Sequence, residues 1–280
     1  MSFVIADSGG TKTDWFVAPE TFFTSSGLNP NTFTPKRLAE VLRREVAPRL
    51  SRSGIRAVFF YGAGCTAPPD WFRGVLQTFF GSAKLEIQGD LLAAARATSD
   101  ASPALIGLLG TGAHAGYFDG QQIRREAMNL GYLLGDEGSG ADLGKETLRA
   151  YLYGTLPQVI HETFIRQFGT LSREEVVTAL YHEPHPNRWL AQFAALPVRH
   201  PENAFCQNLI EERLRLFFRY HLAPLQTADP LSVSWAGGLA AALKSPLNKL
   251  MQEYKWPSGD IVARPLPGLV HHHKKSLFPR

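Results

Sequence analysis

The stretch that decides the fold runs from residue 4 to residue 15 and reads Val-Ile-Ala-Asp-Ser-Gly-Gly-Thr-Lys-Thr-Asp-Trp. A short apolar strand leads into a carboxylate, two glycines and two threonines before apolar residues resume. Glycines let backbone amides approach phosphate oxygens, and Thr11 and Thr13 add hydroxyl donors. Asp7, at the end of the strand, can hold Mg²⁺ through water. The stretch therefore predicts a hairpin that binds phosphate.

This hairpin differs from a P-loop. The spacing G-x-x-x-x-G-K-[ST] is absent, and the glycines lie between two strands instead of opening a helix. Taken alone, the segment is also compatible with an ordinary Gly-Gly hairpin that has an aspartate at a buried strand end. The rest of the chain has to decide between the two.

Composition limits the class of protein. A chain of 280 residues is longer than one typical core supports, so we expect two domains. The absence of a basic segment before the first apolar stretch, and of about 18 consecutive apolar residues, predicts a cytoplasmic protein with no membrane partner. Two cysteines, Cys65 and Cys206, argue against a disulfide framework and a cysteine-ligated zinc site. The net charge is +4 and the Lys and Arg residues are scattered along the sequence, so we expect no nucleic-acid partner.

The order of predicted strands and helices indicates an α/β protein. We place the domain boundary at residue 106, which gives domains 1–106 and 107–280. A second hairpin, 105–125, repeats the order of the first: strand, Gly-Thr-Gly turn, strand. Such duplication predicts two similar domains facing each other across a cleft. Helical insertions follow residue 140, and the last helix is expected to pack back onto the first domain.

Four segments carry a family resemblance. They are Ala6-Asp7-Ser8-Gly9-Gly10-Thr11-Lys12-Thr13-Asp14, Leu109-Gly110-Thr111-Gly112, Gly131-Tyr132-Leu133-Leu134-Gly135-Asp136-Glu137-Gly138-Ser139-Gly140 and Trp235-Ala236-Gly237-Gly238-Leu239-Ala240. Together they resemble the N-acetylglucosamine kinase-like branch, the BadF/BadG/BcrA/BcrD ATPase family, of the sugar kinase/Hsp70/actin superfamily. The resemblance implies two ribonuclease H-like (actin-like ATPase) domains.

The resemblance also implies ligands and the residues that bind them. ATP and Mg²⁺ are the implied cofactors, a hexose the implied substrate, and a homodimer the implied assembly. The implied ATP-phosphate ligands are Gly9, Gly10, Thr11, Lys12, Thr13, Gly110, Thr111 and Gly112. Gly237 and Gly238 would contact adenosine. The implied substrate residues are Asn29, Gly62, Gly64, His114, Asp136 and Glu137.

Asp90 is the candidate catalytic base. It lies where an apolar strand ends and an alanine-rich helix begins, and phosphoryl transfer needs a carboxylate to take the proton of the acceptor hydroxyl. By resemblance it is the family's catalytic aspartate. A helix N-cap is the alternative, because Asp is favoured there. Both roles can hold together.

Asp136 and Glu137 lie in a loop between two glycines. A carboxylate that accepts two hydroxyl hydrogens can hold a polyol in one orientation. The alternative is a capping cluster for the helix that starts near Leu143, which Ser139 and Asp142 could serve alone.

One departure from the family bears on specificity. The family commonly has Ser-Asn after the second Gly-Thr-Gly, where this chain has Ala113-His114. Histidine is bulkier than asparagine and titrates near neutral pH, so we expect it to affect which sugar is accepted. The cluster His271-His272-His273 near the C-terminus is expected to be a solvated end.

The sequence thus predicts an ATP-dependent kinase for a hexose, with an amino sugar such as N-acetylglucosamine as the expected acceptor. The alternative is an ATPase activator of the same family, which would hold an iron-sulfur cluster between subunits with two cysteines from each. A third class is a nucleotide-dependent binding or regulatory module.

Overall fold

The computed structural model describes residues 2–50, 54–99 and 102–277. The chain divides into two compact units, one formed by residues 1–101 with 264–280 (unit 1) and the other by residues 102–263 (unit 2). The sequence-based domain boundary at residue 106 stays a prediction.

Strands and helices alternate through the first half of the chain, and helices dominate the middle. The strands are β1 Ser2–Ser8, β2 Lys12–Val17, β3 Thr21–Ser26, β4 Ile55–Gly62, β5 Lys84–Gly89, β6 Ala104–Leu109, β7 Ala113–Phe118, β8 Ile123–Glu126, β9 Val233–Ala236 and β10 Ser258–Val262. The helices are α1 Pro35–Val41, α2 Asp70–Phe80, α3 Asp90–Thr98, α4 Gly131–Leu134, α5 Gly140–Leu152, α6 Gln158–Phe168, α7 Arg173–His182, α8 Pro186–Ala191, α9 Ala195–Arg199, α10 Ala204–Phe217, α11 Gly238–Ala242, α12 Lys244–Tyr254 and α13 Leu266–Leu277.

The sheet of unit 1 has the order β3-β2-β1-β4-β5 among the described strands. Strands β1, β4 and β5 are parallel, while β2 pairs antiparallel with β1 and β3 pairs antiparallel with β2. The carboxyl ends of the three parallel strands therefore meet at one edge, which carries Asp7, Gly62 and Gly89. We call this edge the unit 1 edge.

Both faces of this sheet are buried. Trp15, Phe60 and Phe72 belong to a core on the side of α1 and α2, and Phe3 and Phe16 belong to the opposite core, which includes residues of α3 and α13. Because side chains alternate along a strand, β1 and β2 read as nearly continuous apolar runs.

Helix α13 corrects one expectation from the sequence. His273 is buried, its Nε2 lies 2.8 Å from the Tyr61 hydroxyl, and its ring stacks on Phe59 at 3.8 Å. The prediction of a solvated end is therefore wrong at His273. A helical repeat of apolar residues, Leu266, Leu269 and Val270, places this histidine on the face that packs against the sheet.

The sheet of unit 2 has the order β10-β9-β6-β7-β8 among the described strands. Its strand β6 is parallel to β9 and antiparallel to β7. Trp235 lies so close to Gly107 that a Cβ there would come within 2.5 Å of the indole. The ring also packs against Phe217 and Phe218 at the end of α10.

Two helices end in the same irregular way. The helix that begins at Pro35 is α only to Val41 and continues as a π turn, Leu42–Val46, and a 3₁₀ turn, Ala47–Arg49. After α10, a π turn Phe218–Leu222 and a 3₁₀ turn Ala223–Leu225 follow. In both, a proline is the second residue of the 3₁₀ turn and cannot donate to the helical ladder.

The α/β fold class predicted from the sequence is confirmed, with a mixed five-stranded sheet in each unit among the described residues. None of the helices within those residues combines the length and the apolar character that a membrane span needs.

Candidate active site

Three carboxylates gather at the unit 1 edge. Asp7 on β1 lies directly opposite Asp14 on β2. The pKa of Asp7 is raised to about 7, first by burial and then by the negative charges of Asp14 and Asp90, while Lys12 acts to lower it. Asp90 is therefore close enough to Asp7 for their charges to interact.

The glycine turn between β1 and β2 is exposed. The Gly9 amide donates to the Lys12 carbonyl at 3.0 Å, and Gly10 has open space where a side chain would be. The Lys12 ammonium donates to both carboxylate oxygens of Asp14 at 3.0 Å. The turn thus keeps a free surface for a ligand, while the predicted phosphate donor Lys12 is paired with Asp14.

Gly27 packs against the glycine turn between β1 and β2. It is not among the site residues predicted from the sequence. A Cβ at Gly27 would come within 2.5 Å of the Gly9 carbonyl oxygen, and the Gly27 amide donates to the Thr11 carbonyl at 3.1 Å. Its position one residue beyond β3 could have indicated this contact, because the pairing of β2 with β3 brings it beside the turn.

Thr13 lies on the opposite face of the hairpin from Lys12 and Asp14. Its buried hydroxyl is 2.8 Å from Ser8 Oγ and donates to the Ser26 carbonyl at 3.1 Å. This hydroxyl joins strands, so we do not carry the predicted phosphate contact of Thr13 into the candidate site.

Asn29 and Gly64 come together near the unit 1 edge. Asn29 Oδ1 accepts the amide hydrogen of Asn31 at 2.9 Å. Gly64 has φ +75°, and a Cβ there would lie 2.9 Å from Asn29 Oδ1 and 2.7 Å from Asn31 Nδ2. Gly62, the other predicted substrate residue, is buried at the end of β4, with Cys65 Sγ 3.3 Å from the position of a Cβ.

Asp90 is the first residue of α3, and Gly89 occupies the N-cap position. Asp90 Oδ1 accepts the Leu91 amide hydrogen at 3.0 Å, so the carboxylate does part of the work of a cap. The same charge contributes to the raised pKa values of Asp7 and Cys65. The Asp90 carboxylate therefore lies at the unit 1 edge near Asp7, and it also accepts a hydrogen bond from the first turn of the helix.

In unit 2, the turn Gly110-Thr111-Gly112 is tied to the start of α5. The carbonyls of Gly110 and Thr111 accept the amide hydrogens of Gly140 and Ala141 at 2.8 and 3.0 Å. Within the turn, the Gly110 amide donates to the Gly112 carbonyl at 3.0 Å. The turn Gly110-Thr111-Gly112 and the glycine loop before α5 are therefore joined by backbone hydrogen bonds.

Asp136 lies in the glycine loop before α5 and has a strained backbone conformation. Its φ is +58°, which an L residue adopts only when its surroundings impose it, and its side chain is buried. Burial raises the pKa of the carboxyl, while the Ala113 amide that donates to it acts to lower it. A Cβ at Gly112 would lie 3.0 Å from Asp136 Oδ2, so glycine there gives the carboxylate room.

The other polar residues of the loop fasten it to its neighbours. Ser139 Oγ accepts the Asp142 amide hydrogen at 3.1 Å, which is the cap that the sequence offered as an alternative. Asp142 in turn accepts from the Gly138 amide and from the Arg213 guanidinium. Glu137 Oε2 lies 2.8 Å from His221 Nε2.

His114 lies on β7, two residues beyond Gly112. Its Nε2 is 3.4 Å from Glu126 Oε2, and the side chain is 19% exposed. The partly open imidazole can therefore offer its other nitrogen to a ligand.

Gly237 and Gly238 follow β9. Gly237 has φ +121°, and a Cβ there would lie 2.2 Å from the Leu109 carbonyl oxygen, so the residue is confined to glycine by packing. Gly238 has open space around its α-carbon and leaves a backbone surface that a flat ligand can approach.

Comparison with solved structures places this fold among sugar kinases. A protein from Porphyromonas gingivalis, provisionally named an N-acetylglucosamine kinase, superposes with a TM-score of 0.93 and 32% identity over 98% of this chain and 99% of that one. A second provisional N-acetylglucosamine kinase, from Chromobacterium violaceum, gives 0.67 and 18% over 97% and 98%. A ROK family glucokinase from Streptomyces griseus, in complex with glucose and AMPPNP, gives 0.56 and 16% over 97% and 98%.

A scan against known protein families and a search of the curated proteins each give no match. The similarity to the Porphyromonas gingivalis protein extends over nearly the full length of both chains at 32% identity. The chain belongs to the N-acetylglucosamine kinase-like family of the sugar kinase/actin-like ATPase superfamily.

Proposed function

We propose that the protein is an ATP-dependent sugar kinase that phosphorylates a hydroxyl of a hexose, with an amino sugar such as N-acetylglucosamine as the acceptor. The observation that carries this proposal is the position of Asp90, which begins α3 at the same edge as Asp7 and interacts electrostatically with it. Phosphoryl transfer requires this combination of a carboxylate near the acceptor and a second one near the phosphates.

In the proposed reaction, the acceptor hydroxyl oxygen forms a bond to the γ-phosphorus of ATP. The bond between the γ-phosphorus and the β,γ-bridging oxygen breaks, and ADP leaves. Asp90 accepts the proton of the hydroxyl as the new bond forms. The residues that position the sugar are Asn29, Gly62, Gly64, His114 and Asp136.

The two glycine turns would bind the phosphates. Backbone amides of Gly9, Gly10 and Thr11 are at the exposed turn of unit 1, and those of 110–112 are at the turn of unit 2. Lys12 would leave Asp14 for the more highly charged phosphates. Gly238 and its neighbour Gly237 would contact the adenosine.

Asp7 is suited to hold Mg²⁺ through water. Burial and then two further carboxylates raise its pKa, and a divalent cation nearby would favour its ionised form because the charges are opposite. Among the described residues, no three His, Cys, Asp or Glu side chains are grouped so as to ligate a metal directly. Mg²⁺ usually binds one or two carboxylates together with waters and substrate phosphates. Bound Mg²⁺ would neutralise phosphate charge.

A solved structure of the same fold and the burial of the two cysteines support the proposal. The Streptomyces griseus glucokinase of this fold was solved with a hexose and an ATP analogue. Cys65 and Cys206 are each fully buried in cores of different units, which argues against the activator alternative because its shared cluster would need exposed cysteines.

A coupled assay of ADP release tests the proposal, with N-acetylglucosamine, N-acetylmannosamine, glucosamine and glucose offered in turn. We expect ADP release to depend on sugar, and the rate to be highest with an N-acetylated sugar. ADP release at the same rate without any sugar would contradict a kinase and favour an ATPase of the same family.

A further inference from the structure

Glu137 and His221 form a buried pair in unit 2. Glu137 Oε2 lies 2.8 Å from His221 Nε2, and the side chains are 18% and 3% exposed. A carboxylate accepts hydrogen bonds, so the hydrogen is on Nε2. The imidazole also stacks on Phe217 with ring centroids 4.8 Å apart, which fixes its orientation.

The second ring nitrogen of His221, Nδ1, takes no part in the contact with Glu137. Within the residues that the structure describes, His221 Nδ1 is buried and has no hydrogen-bond partner. An unpartnered buried nitrogen is unfavourable, so stability alone does not explain a histidine at this position. The nitrogen that is partnered is the one that faces Glu137.

A second tie lies on the other side of the same loop. Arg213 donates to both carboxylate oxygens of Asp142, at 2.8 and 3.0 Å, and the Asp142 side chain is 1% exposed. The loop from Gly135 to Asp142 is therefore fastened at two points to the helical segment 204–222.

Asp136 precedes the first of these ties. Its backbone has φ +58° and is held in place by the Ser139 amide, which donates to the Asp136 carbonyl at 3.0 Å. Because Glu137 is the next residue, the pair with His221 restricts the rotation of the peptide that carries Asp136. A strained position of this kind persists only when its surroundings determine it.

We infer that Glu137 and His221 are positioning residues that hold the loop so that Asp136 meets the sugar. Glu137, which the family resemblance places among the sugar ligands, then acts through Asp136 and not on the sugar itself. This inference rests on the proposed function, because it takes Asp136 as a sugar ligand. It assigns a role to His221 that its place 84 residues away in the chain gave no reason to suspect.

Kinetics of matched variants test the inference. His221→Phe keeps the stacking on Phe217 and removes the hydrogen-bond donor, while Glu137→Ala removes the acceptor. We expect each to raise the KM for the sugar about 10–100-fold, because a displacement of about 1 Å at a ligand-binding group costs that much. The KM for ATP should change less than about twofold. In the double variant the two effects should not multiply, since both remove the same contact.

Conservative variants and a control separate positioning from folding. His221→Gln keeps a side-chain donor and should recover most of the sugar KM, which a loss of folded protein would not allow. Glu211→Ala, on α10, removes a partly exposed partner of Lys249 and should leave both KM values unchanged. If Glu137→Ala raises the sugar KM and His221→Phe does not, Glu137 contacts the sugar directly and the inference is wrong.

A measurement on the protein without ligands separates this inference from the proposed function. Hydrogen exchange at the Gly138 and Ser139 amides should be faster in His221→Phe and Glu137→Ala, with exchange across α6 unchanged. Unchanged exchange at the two amides would overturn the positioning role even if a sugar is phosphorylated. Faster exchange in a protein that phosphorylates no sugar would leave the loop tie intact and reject the kinase proposal.

Discussion

The candidate base Asp90 has a helix-capping bond and a charge interaction with Asp7 in the same side chain. Asparagine has nearly the same shape and can still accept the Leu91 amide hydrogen, but it cannot take a proton from a hydroxyl. Substitution therefore separates the two roles at one position.

We expect Asp90→Asn to keep nucleotide binding and thermal stability while kcat falls by roughly 10²–10⁴-fold. Turnover, ATP affinity and melting temperature measured on one preparation check this. Asp70→Asn is the matched control, because Asp70 is likewise the first residue of a helix, α2. A stable Asp90→Asn variant with near-normal turnover would remove Asp90 from the mechanism and leave Asp136 as the next candidate.

His114 is the second informative residue, since the family resemblance implies an asparagine at its position. We expect His114→Asn to change kcat/KM for one sugar relative to another by roughly tenfold, with little change in ATP affinity. The measurement is kcat/KM across the four sugars named above. His200→Asn is the control, because His200 also pairs with a glutamate but is remote in sequence from the site. An equal loss for all sugars would place His114 outside the pocket.

At the level of elements, the sequence predicted the two hairpins with glycine turns and the junction of a strand and a helix at Asp90, because an apolar run ends at each of these places. The sequence could not predict which hydroxyl and charged groups already have hydrogen-bond or ion-pair partners within the fold. Thr13 looked like a phosphate donor, but the pleat directs it to the face where Ser8 and Ser26 take its hydroxyl. His221 and Gly27 were missed for the opposite reason, since their contacts join segments far apart in the chain.

Helix α13 carries a pH-dependent contribution to stability. Burial lowers the pKa of His273 to about 3, from 6.5. Between these two values the unfolded chain binds more protons than the folded one, so stability falls as the pH falls through that window. At pH 7 and above the contribution is constant, because the imidazole is neutral in both states.

We expect His273→Gln to lose less stability than the wild type on acidification from pH 6.5 toward pH 4, since glutamine can still accept from Tyr61 but does not titrate. Denaturant unfolding at several pH values measures this. His271→Gln, an exposed histidine two residues earlier on α13, should follow the wild type. If both variants keep the wild-type slope, His273 does not resist protonation in the fold.

For the whole molecule, the sequence pattern predicted the α/β class, and the comparison with the Porphyromonas gingivalis protein established the family. The identity of the sugar could not be predicted, because in the proposed site it would depend on a few contacts around Asp136 and His114. Neither the motif glycines nor the apolar pattern carries that information. The expected homodimer stays a prediction.

We expect Mg-ATP to raise the melting temperature, since a ligand at about a hundredfold excess over its Kd stabilises the folded state by about 2.7 kcal/mol, which corresponds to roughly 5 °C. Asp7→Ala should reduce the part of the shift that depends on Mg²⁺, as measured by thermal unfolding with and without the metal. Asp229→Ala, at an exposed aspartate, is the control. An unchanged melting temperature at saturating nucleotide would reject the kinase and the activator together.

The return of residues 264–280 to unit 1 bears on how the chain folds during synthesis. Phe3, Ile5 and Phe16 leave the ribosome early, but their core is completed by Leu269 and its neighbours on α13. All of unit 2 is translated in between, which takes about ten to thirty seconds at ordinary elongation rates. During that interval one face of the first sheet lacks its final helix, so chaperones that bind apolar strands have a defined period in which to act.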